Sequence, residues 1–221
     1  MEKLLNEQIV GQVKDVFNGM KEPVEILFFG SETCDYCTET RQLVEEVADT
    51  HASISAAYYD LDKDATMAAE FNVDKAPAIV IAAKNGNEVV NYGIQYSGIP
   101  SGHEFSTLIN DILLVSGRDS GLDEATRAYL KGLETPLHMQ VFVTPTCPYC
   151  PRAVLLAHQM AMENPAMIRA EGVEATEFPD LANRFNVSGV PQTTINAGRG
   201  TVVGAVPEGH LLDEIKRALL N

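Results

Sequence analysis

The chain has 221 residues, and its 31 acidic against 16 basic side chains give a formal net charge of −15. This charge argues against nucleic acid and anionic membranes as partners, because both are themselves negative. Hydrophobic residues make up 45% of the chain, enough for a folded core, and no apolar run approaches the roughly 18 residues of a membrane span. Residues 1–7 are acidic and do not resemble a secretory leader. We therefore expect a soluble cytoplasmic protein whose four cysteines serve catalysis or metal binding.

The first half of the chain predicts helices and strands arranged around one Cys-x-x-Cys motif. In chain order its elements are a helix at 3–18, a strand at 24–29, the cysteines Cys34 and Cys37, a helix at 38–48, a strand, the step Ala76-Pro77, a hairpin, and a helix at 102–115.

The second half repeats this order. Its elements are a helix at 123–132, a strand at 138–143, the cysteines Cys147 and Cys150, a helix at 152–162, a strand, the step Val190-Pro191, a hairpin, and a helix at 209–220. The X-Pro steps are 114 residues apart, but the closing helices are only 107 apart, so the first hairpin is seven residues longer. This internal repeat indicates a duplication, with one unit at 1–117 and another at 118–221. The polar segment between them is too short for independent tumbling, so we expect the units to pack together.

The order of elements in each half resembles that of the thioredoxin fold: a strand, a CxxC pair at a helix start, and a later X-Pro step before another strand. The sequence Cys147-Pro148-Tyr149-Cys150 is similar to the glutaredoxin motif. Two such units in one chain resemble the protein disulfide oxidoreductase family. The resemblance implies an α/β fold of two tandem thioredoxin units, each a mixed sheet flanked by helices. It also implies one continuous sheet, and cis Pro77 and Pro191.

The chain differs from thioredoxins and glutaredoxins at several positions. Thioredoxins carry Trp before the first active-site cysteine, where this chain has Thr33 and Thr146. The buried thioredoxin Asp corresponds to Phe28 and Val141, so each unit lacks the usual proton acceptor. We consider Glu174 and Glu177 as substitutes, although their alternating pattern is more typical of a solvated strand face. The Gly-rich segment by which glutaredoxins hold glutathione is also missing.

The predicted chemistry is thiol–disulfide exchange without a cofactor. A thiolate attacks a disulfide, and a helix N-terminus favours the anion, so Cys34 and Cys147 are the expected nucleophiles. Cys37 and Cys150 resolve the mixed disulfide. Residues Ala76 and Val190, before the two prolines, would offer a backbone edge to an extended substrate.

Charge predicts that the two sites differ. Asp35 disfavours a thiolate at Cys34, whereas Pro148 adds no charge and Arg152 favours a thiolate at Cys147. Residues 1–117 carry 19 acidic and 7 basic side chains, a charge of −12, against −3 for the 12 acidic and 9 basic side chains of 118–221. We expect Cys147 to be the more reactive nucleophile and to meet disulfide-containing proteins. The first site would exchange electrons with a reductase or with the second site.

Two other classes of function stay open from the sequence. The chain could be a dedicated electron shuttle from a thioredoxin-reductase-like flavoprotein to a peroxiredoxin. It could instead be a scaffold in which the four cysteines bind zinc, although structural zinc cysteines usually sit on tight knuckles.

Overall fold

A computed structural model describes residues 3–220, which form two similar units built on one eight-stranded sheet. The first unit contains α1 (Glu7–Phe17), β1 (Val24–Gly30), α2 (Cys37–Ala48), β2 (Ile54–Asp60), α3 (Ala65–Glu70), β3 (Ala78–Asn85), β4 (Glu88–Ser97) and α4 (Glu104–Gly117). The second contains α5 (Glu124–Lys131), β5 (Leu137–Val143), α6 (Cys150–Met162), β6 (Ile168–Glu174), α7 (Pro179–Arg184), β7 (Gln192–Ile195), β8 (Gly200–Val203) and α8 (Glu208–Leu220).

The sheet is continuous across the two units. Its strand order is β2-β1-β3-β4-β6-β5-β7-β8, and β4 of the first unit pairs in parallel with β6 of the second, with Ile94 opposite Ala170 and Ser97 opposite Val173. The predicted α/β class, the tandem thioredoxin units and the shared sheet are confirmed. The unit boundary at 117/118 stays a prediction, although α4 ends at Gly117.

One large core lies on the sheet face covered by the long helices. It contains buried side chains from both units, among them Ile26, Ile79, Ile112, Val154 and Ile215. Smaller clusters under α3 and α7 cover the other face. Burial of apolar surface across the unit boundary explains why the two units form one body.

Local sequence explains where the helices begin. Asn6 caps α1, because its side chain accepts a hydrogen bond from the Ile9 amide at 2.9 Å. The first hairpin uses strands of 8 and 10 residues against 4 and 4 in the second, which is the predicted difference between the copies. Among residues 3–220, none of the helices combines the length and hydropathy that a membrane crossing needs.

Candidate active site

The first cysteine pair lies where β1 gives way to α2. Cys34 and Cys37 form a disulfide, both are partly buried, and Tyr36 between them is exposed. The sequence predicted a helix from residue 38, but Cys37 is already its first residue. Cys34 therefore lies in the turn before the helix, where the free amides of the first helical turn face it.

The second pair repeats this geometry at the start of α6. Cys147 and Cys150 form a disulfide, and Cys150 is the first helical residue, two positions before the predicted start. Cys147 is 7% exposed and Cys150 is fully buried, while Tyr149 is 70% exposed. Only the first sulfur of this pair is therefore within reach of a macromolecular substrate.

Each X-Pro step precedes the strand that pairs with the strand leading into a cysteine pair, with Ala78 opposite Phe29 and Gln192 opposite Phe142. The peptide bonds Ala76-Pro77 and Val190-Pro191 are both cis. The Pro77 carbonyl accepts a hydrogen bond from the Gly98 amide at 2.9 Å, and the Pro191 carbonyl accepts one from the Gly204 amide at 2.8 Å. Each proline carbonyl thus binds the residue that directly follows the second hairpin strand of its own unit, β4 or β8.

Both sites lie at the same edge of the sheet. Strands β1, β4, β6 and β5 all run in one direction, because β1 and β4 are each antiparallel to β3 and the later pairs are parallel. Four strand spacings separate β1 from β5, which corresponds to about 19 Å. That separation prevents direct exchange between the two disulfides within one sheet, and it prevents the four sulfurs from sharing one zinc ion.

The residues expected to tune the sites lie at the surface. The side chains of Asp35, Pro148 and Arg152 are all at least partly exposed. The acidic environment predicted at the first site is partly neutralised, because Lys63 binds Glu32 at 2.7 Å. Solvent also screens these charges, so their effect on a thiolate is modest.

An open pocket of about 420 Å³ adjoins Cys37. Phe28, at the position that corresponds to the thioredoxin Asp, and Tyr58 both line it. The Arg41 guanidinium, 4.6 Å from the centre of the Tyr58 ring, is the nearby cation. The first site therefore replaces a buried acid with aromatic walls and access to solvent.

The two predicted proton acceptors have different positions. Glu174 is the last residue of β6 and is buried, with one oxygen accepting hydrogen bonds from Thr176 and the Glu177 amide. Glu177 lies in the following turn, so its prediction as a strand residue was wrong. Burial raises the pKa of Glu177 to about 7. It accepts a hydrogen bond from the Ile99 amide at 2.8 Å, which places it against the loop of the first unit.

A third acid, Glu104, was not singled out from the sequence. It begins α4, is 3% exposed, and neither of its carboxylate oxygens hydrogen-bonds to any residue in the range 3–220. Burial raises its pKa to about 7, although the charge of His158 opposes the shift. No sequence signal singled out Glu104, because its burial is not visible in the sequence and no pattern in the first unit indicated that its last helix faces the second site.

Helix packing brings Glu104 to the end of the sheet that carries the second disulfide. Helices α4 and α6 both start at the active-site edge, and Asp111 of α4 contacts Nδ1 of His158 in α6 at 2.7 Å. Glu104 lies seven residues, about two helical turns, before Asp111, and residue 151 lies the same distance before His158. Because both helices run in the same direction, Glu104 is expected at the height of residue 151, which follows Cys150 in the chain. The loop before α4 also contacts the second site, since the His103 amide donates to the Pro145 carbonyl at 2.9 Å.

Metal binding finds no support in the side-chain arrangement. Across the described part of the chain, no three His, Cys, Asp or Glu side chains are grouped as metal ligands. The region 60–64, which resembles a calcium loop superficially, uses its carboxylates locally: Asp60 accepts from the amides of Asp62 and Lys63, and Asp64 accepts from the amide of Asp60.

The fold and the paired disulfides define a thioredoxin-fold protein that carries two dithiol–disulfide sites. Family models agree: the thioredoxin model matches residues 12–102 and the thioredoxin-domain model matches 137–217. The structure of a protein disulfide oxidoreductase from Aeropyrum pernix superposes with a TM-score of 0.87 and 31% identity, covering 97% of this chain and 94% of that one. The chain belongs to the protein disulfide oxidoreductase family, and it is a thioredoxin-like oxidoreductase.

A second group of relatives is the alkyl hydroperoxide reductase component AhpF. The Staphylococcus epidermidis protein is 32% identical over 163 residues, which is 73% of this chain but 29% of that protein. The Enterococcus faecalis AhpF structure has the same fold, with a TM-score of 0.86 and 24% identity over 96% of this chain and all of that one. The chain thus spans about a third of the length of the curated relatives that it matches.

Proposed function

We propose that this protein reduces, forms or reshuffles protein disulfides, and that Cys147 is its more reactive nucleophile. The observation that carries the proposal is the arrangement at α6, where Cys147, 7% exposed and near the exposed Tyr149, is bonded to the fully buried Cys150 at a helix start. This arrangement lets a substrate reach Cys147 while Cys150 is kept for the resolving step.

In the reducing direction the exchange has two steps. The Cys147 thiolate attacks one sulfur of a substrate disulfide, so a mixed disulfide forms and the first substrate thiolate leaves. Cys150 then loses its proton and attacks the Cys147 sulfur, which releases the second substrate thiolate. The substrate gains two electrons and two protons, and the enzyme is left as the disulfide.

Glu104 is our candidate to accept the Cys150 proton. Its carboxylate is buried, has no hydrogen-bond partner among the described residues, and lies level with the start of α6. A pKa raised to about 7 suits a group that exchanges a proton near neutral pH. Glu174 and Glu177 stay alternative candidates, but the contact of Glu177 with Ile99 directs it toward the first unit.

The two sites would then have separate partners. Their spacing of about 19 Å leaves no direct route for electrons between them within one molecule. We propose that a thioredoxin-reductase-like flavoprotein reduces the first site, that the first site of one molecule reduces the second site of another by thiol–disulfide exchange, and that the second site passes the two electrons to disulfide-containing proteins. The cis-proline loops at Ala76 and Val190 would bind the extended backbone of these partners. The cytoplasm, where most thiols are kept reduced, is the compartment that suits this use of cysteine.

Two single-site proteins test this division. The first-site protein carries Cys147→Ser and Cys150→Ser, and the second-site protein carries Cys34→Ser and Cys37→Ser. We expect the second-site protein to retain most of the dithiothreitol-driven insulin reduction, with the quadruple serine variant as the blank. Greater activity in the first-site protein would contradict the assignment of Cys147 as the main nucleophile.

A second candidate function is electron transfer to a peroxiredoxin. The 32% identity to the alkyl hydroperoxide reductase component of Staphylococcus epidermidis favours it. Its test is peroxide consumption by a bacterial peroxiredoxin supplied with NADPH, a thioredoxin reductase and this protein. Peroxide turnover much faster than insulin reduction would favour the shuttle, while insulin reduction without peroxide turnover would favour the general oxidoreductase.

A further inference from the structure

The segment that leads into cis Pro77 is held by the other unit. Residues 72–77 connect α3 to β3 in the first unit, and two charged side chains of β6 in the second unit bind them. Arg169 donates a hydrogen bond to the Asn72 carbonyl, and Glu171 accepts one from Nζ of Lys75 at 2.7 Å. Lys75 is only two residues before Pro77.

Glu171 is well satisfied at this position. Its carboxylate is fully buried and also accepts hydrogen bonds from Ser97, from Gln140 at 3.0 Å, and from Nε2 of His138 at 3.2 Å. Burial alone would raise the pKa of Glu171, but the hydrogen bonds from His138 and Lys75 outweigh it and hold that pKa well below its usual range. Glu171 therefore stays negatively charged. Its hydrogen-bond donors come from both units, with Lys75 and Ser97 in the first and His138 and Gln140 in the second.

This arrangement is not part of the duplication. At the offset of 114 residues that relates the X-Pro steps, Lys75 corresponds to Gly189 and Glu171 corresponds to Ala57. A Cβ built on Gly189 would contact no atom within 4 Å, whereas Lys75 at the equivalent position is bound by Glu171. The two copies thus differ in how their proline loops are supported.

We propose that the Lys75–Glu171 ion pair, aided by Arg169, positions the Ala76-Pro77 loop so that an extended substrate can bind at the first site. The second unit therefore completes the substrate-binding edge of the first. This inference rests on the proposed function, because it assigns a positioning role at a site proposed to exchange disulfides. Lys75 acts through the backbone that it anchors and does not touch the reacting sulfurs.

Kinetics of the single-site proteins provide the first test. In the first-site protein, Lys75→Met removes the cation while leaving Glu171 its other three donors. We expect KM for a disulfide-containing peptide to rise about tenfold with kcat nearly unchanged, the size of one lost charged hydrogen bond. Lys75→Arg should restore most of the affinity. In the second-site protein, Lys75→Met should leave both constants unchanged.

A matched control isolates the loop from general stability. Lys84 pairs with Glu25 at 3.2 Å inside the first unit, near the far end of β3 from Pro77. Lys84→Met therefore removes an ion pair of the same type without touching the loop. If Lys84→Met raises KM as much as Lys75→Met, or if Lys75→Met leaves KM unchanged in the first-site protein, the positioning role is wrong.

Hydrogen exchange in the full chain tests the anchor without any assay of activity. The Val73 amide donates to the Ala68 carbonyl at 2.8 Å, and the Val187 amide donates to the Ala182 carbonyl at 3.0 Å, so the two loops offer matched probes. Lys75→Met and Glu171→Gln should speed exchange at Val73 and not at Val187. Unchanged exchange at Val73 would overturn the anchor, whereas an inactive first-site protein with faster exchange there would overturn only the proposed function of that site.

Discussion

Replacement of Glu104 by Gln should stabilise the protein at alkaline pH and slow its second site. In the native state, burial raises the pKa of this carboxyl from 4.5 to about 7. The unfolded chain therefore loses the Glu104 proton at lower pH than the folded chain does. Stability contributed by the protonated form is fully present below pH 4.5 and is lost as the pH rises through about 7. Gln keeps the shape of the protonated acid but cannot ionise.

The expected size follows from the shift. A displacement of about 2.5 pKa units corresponds to about 3 kcal/mol of unfolding free energy. The Glu104→Gln variant and the wild type should therefore be nearly equal in stability at about pH 4, while the variant should be more stable by up to about 3 kcal/mol at about pH 8. Glu177, whose pKa is also raised to about 7, affects both proteins equally and cancels in the difference.

Urea unfolding of both oxidised proteins at several pH values between about 4 and 8 measures this difference, with equal m-values as the check that the unfolded states match. The same variant should reduce turnover of the second-site protein by about a hundredfold, because general base assistance is worth at least that factor. Its rate should also lose the rise through about pH 7 that ionisation of Glu104 produces. A stability difference that is flat with pH would refute the burial argument, and an unchanged pH–rate profile would refute the role in proton transfer.

Three further predictions concern the loop at Gly102, the acidity of the two nucleophilic cysteines, and the resolving role of Cys150. Gly102→Ala should lower the free energy of unfolding by at least about 2 kcal/mol in a urea titration. Gly102 has φ +60°, and a Cβ there would lie 2.2 Å from the Pro145 carbonyl oxygen. The control Gly11→Ala, in open space on α1, should raise the free energy of unfolding by up to about 1 kcal/mol. Alkylation of the reduced single-site proteins across pH should show a lower apparent pKa for Cys147 than for Cys34, and the reverse order would contradict the sequence-based assignment. Cys150→Ser should trap substrate on Cys147 as a mixed disulfide that dithiothreitol releases, and failure to trap any client on this variant would argue against Cys147 as the attacking sulfur.

Much of the fold could be predicted because its signals are local and occur twice. Each CxxC pair follows a buried strand and opens a helix, and each X-Pro step precedes another strand, so the second copy tests the interpretation of the first. The cis prolines and the shared sheet came only from the family resemblance. Helix starts were displaced by one to four residues. Helix α1 begins at Glu7 and not at residue 3, and the turn at Cys34–Cys37 has no side-chain cap to mark its end.

The contacts between the units could not be predicted from the sequence, because they join residues far apart in the chain. Glu104 precedes Cys150 by 46 positions in sequence, yet α4 and α6 pack together and both begin at the same end of the sheet. Glu171 alternates with apolar residues along β6, a pattern that gives no sign of its bond to Lys75. Charge counts also do not show which charges pair, and the Lys63–Glu32 ion pair near the first cysteine pair was not predicted.

The two units are therefore related by duplication but are not interchangeable. Glu104 belongs to the first unit and begins a helix that packs on α6 of the second, while Glu171 belongs to the second unit and binds Lys75 in the proline loop of the first. Under the two roles proposed above, each site would depend on a carboxylate from the other unit, and the β4–β6 pairing joins the two units. A single unit expressed alone would lose the acid or the anchor that its own site uses, even if its CxxC pair and cis proline survived. Retention of the shared sheet is in this sense a functional constraint, because separating the units would uncouple each disulfide from the group that positions its substrate or accepts its proton.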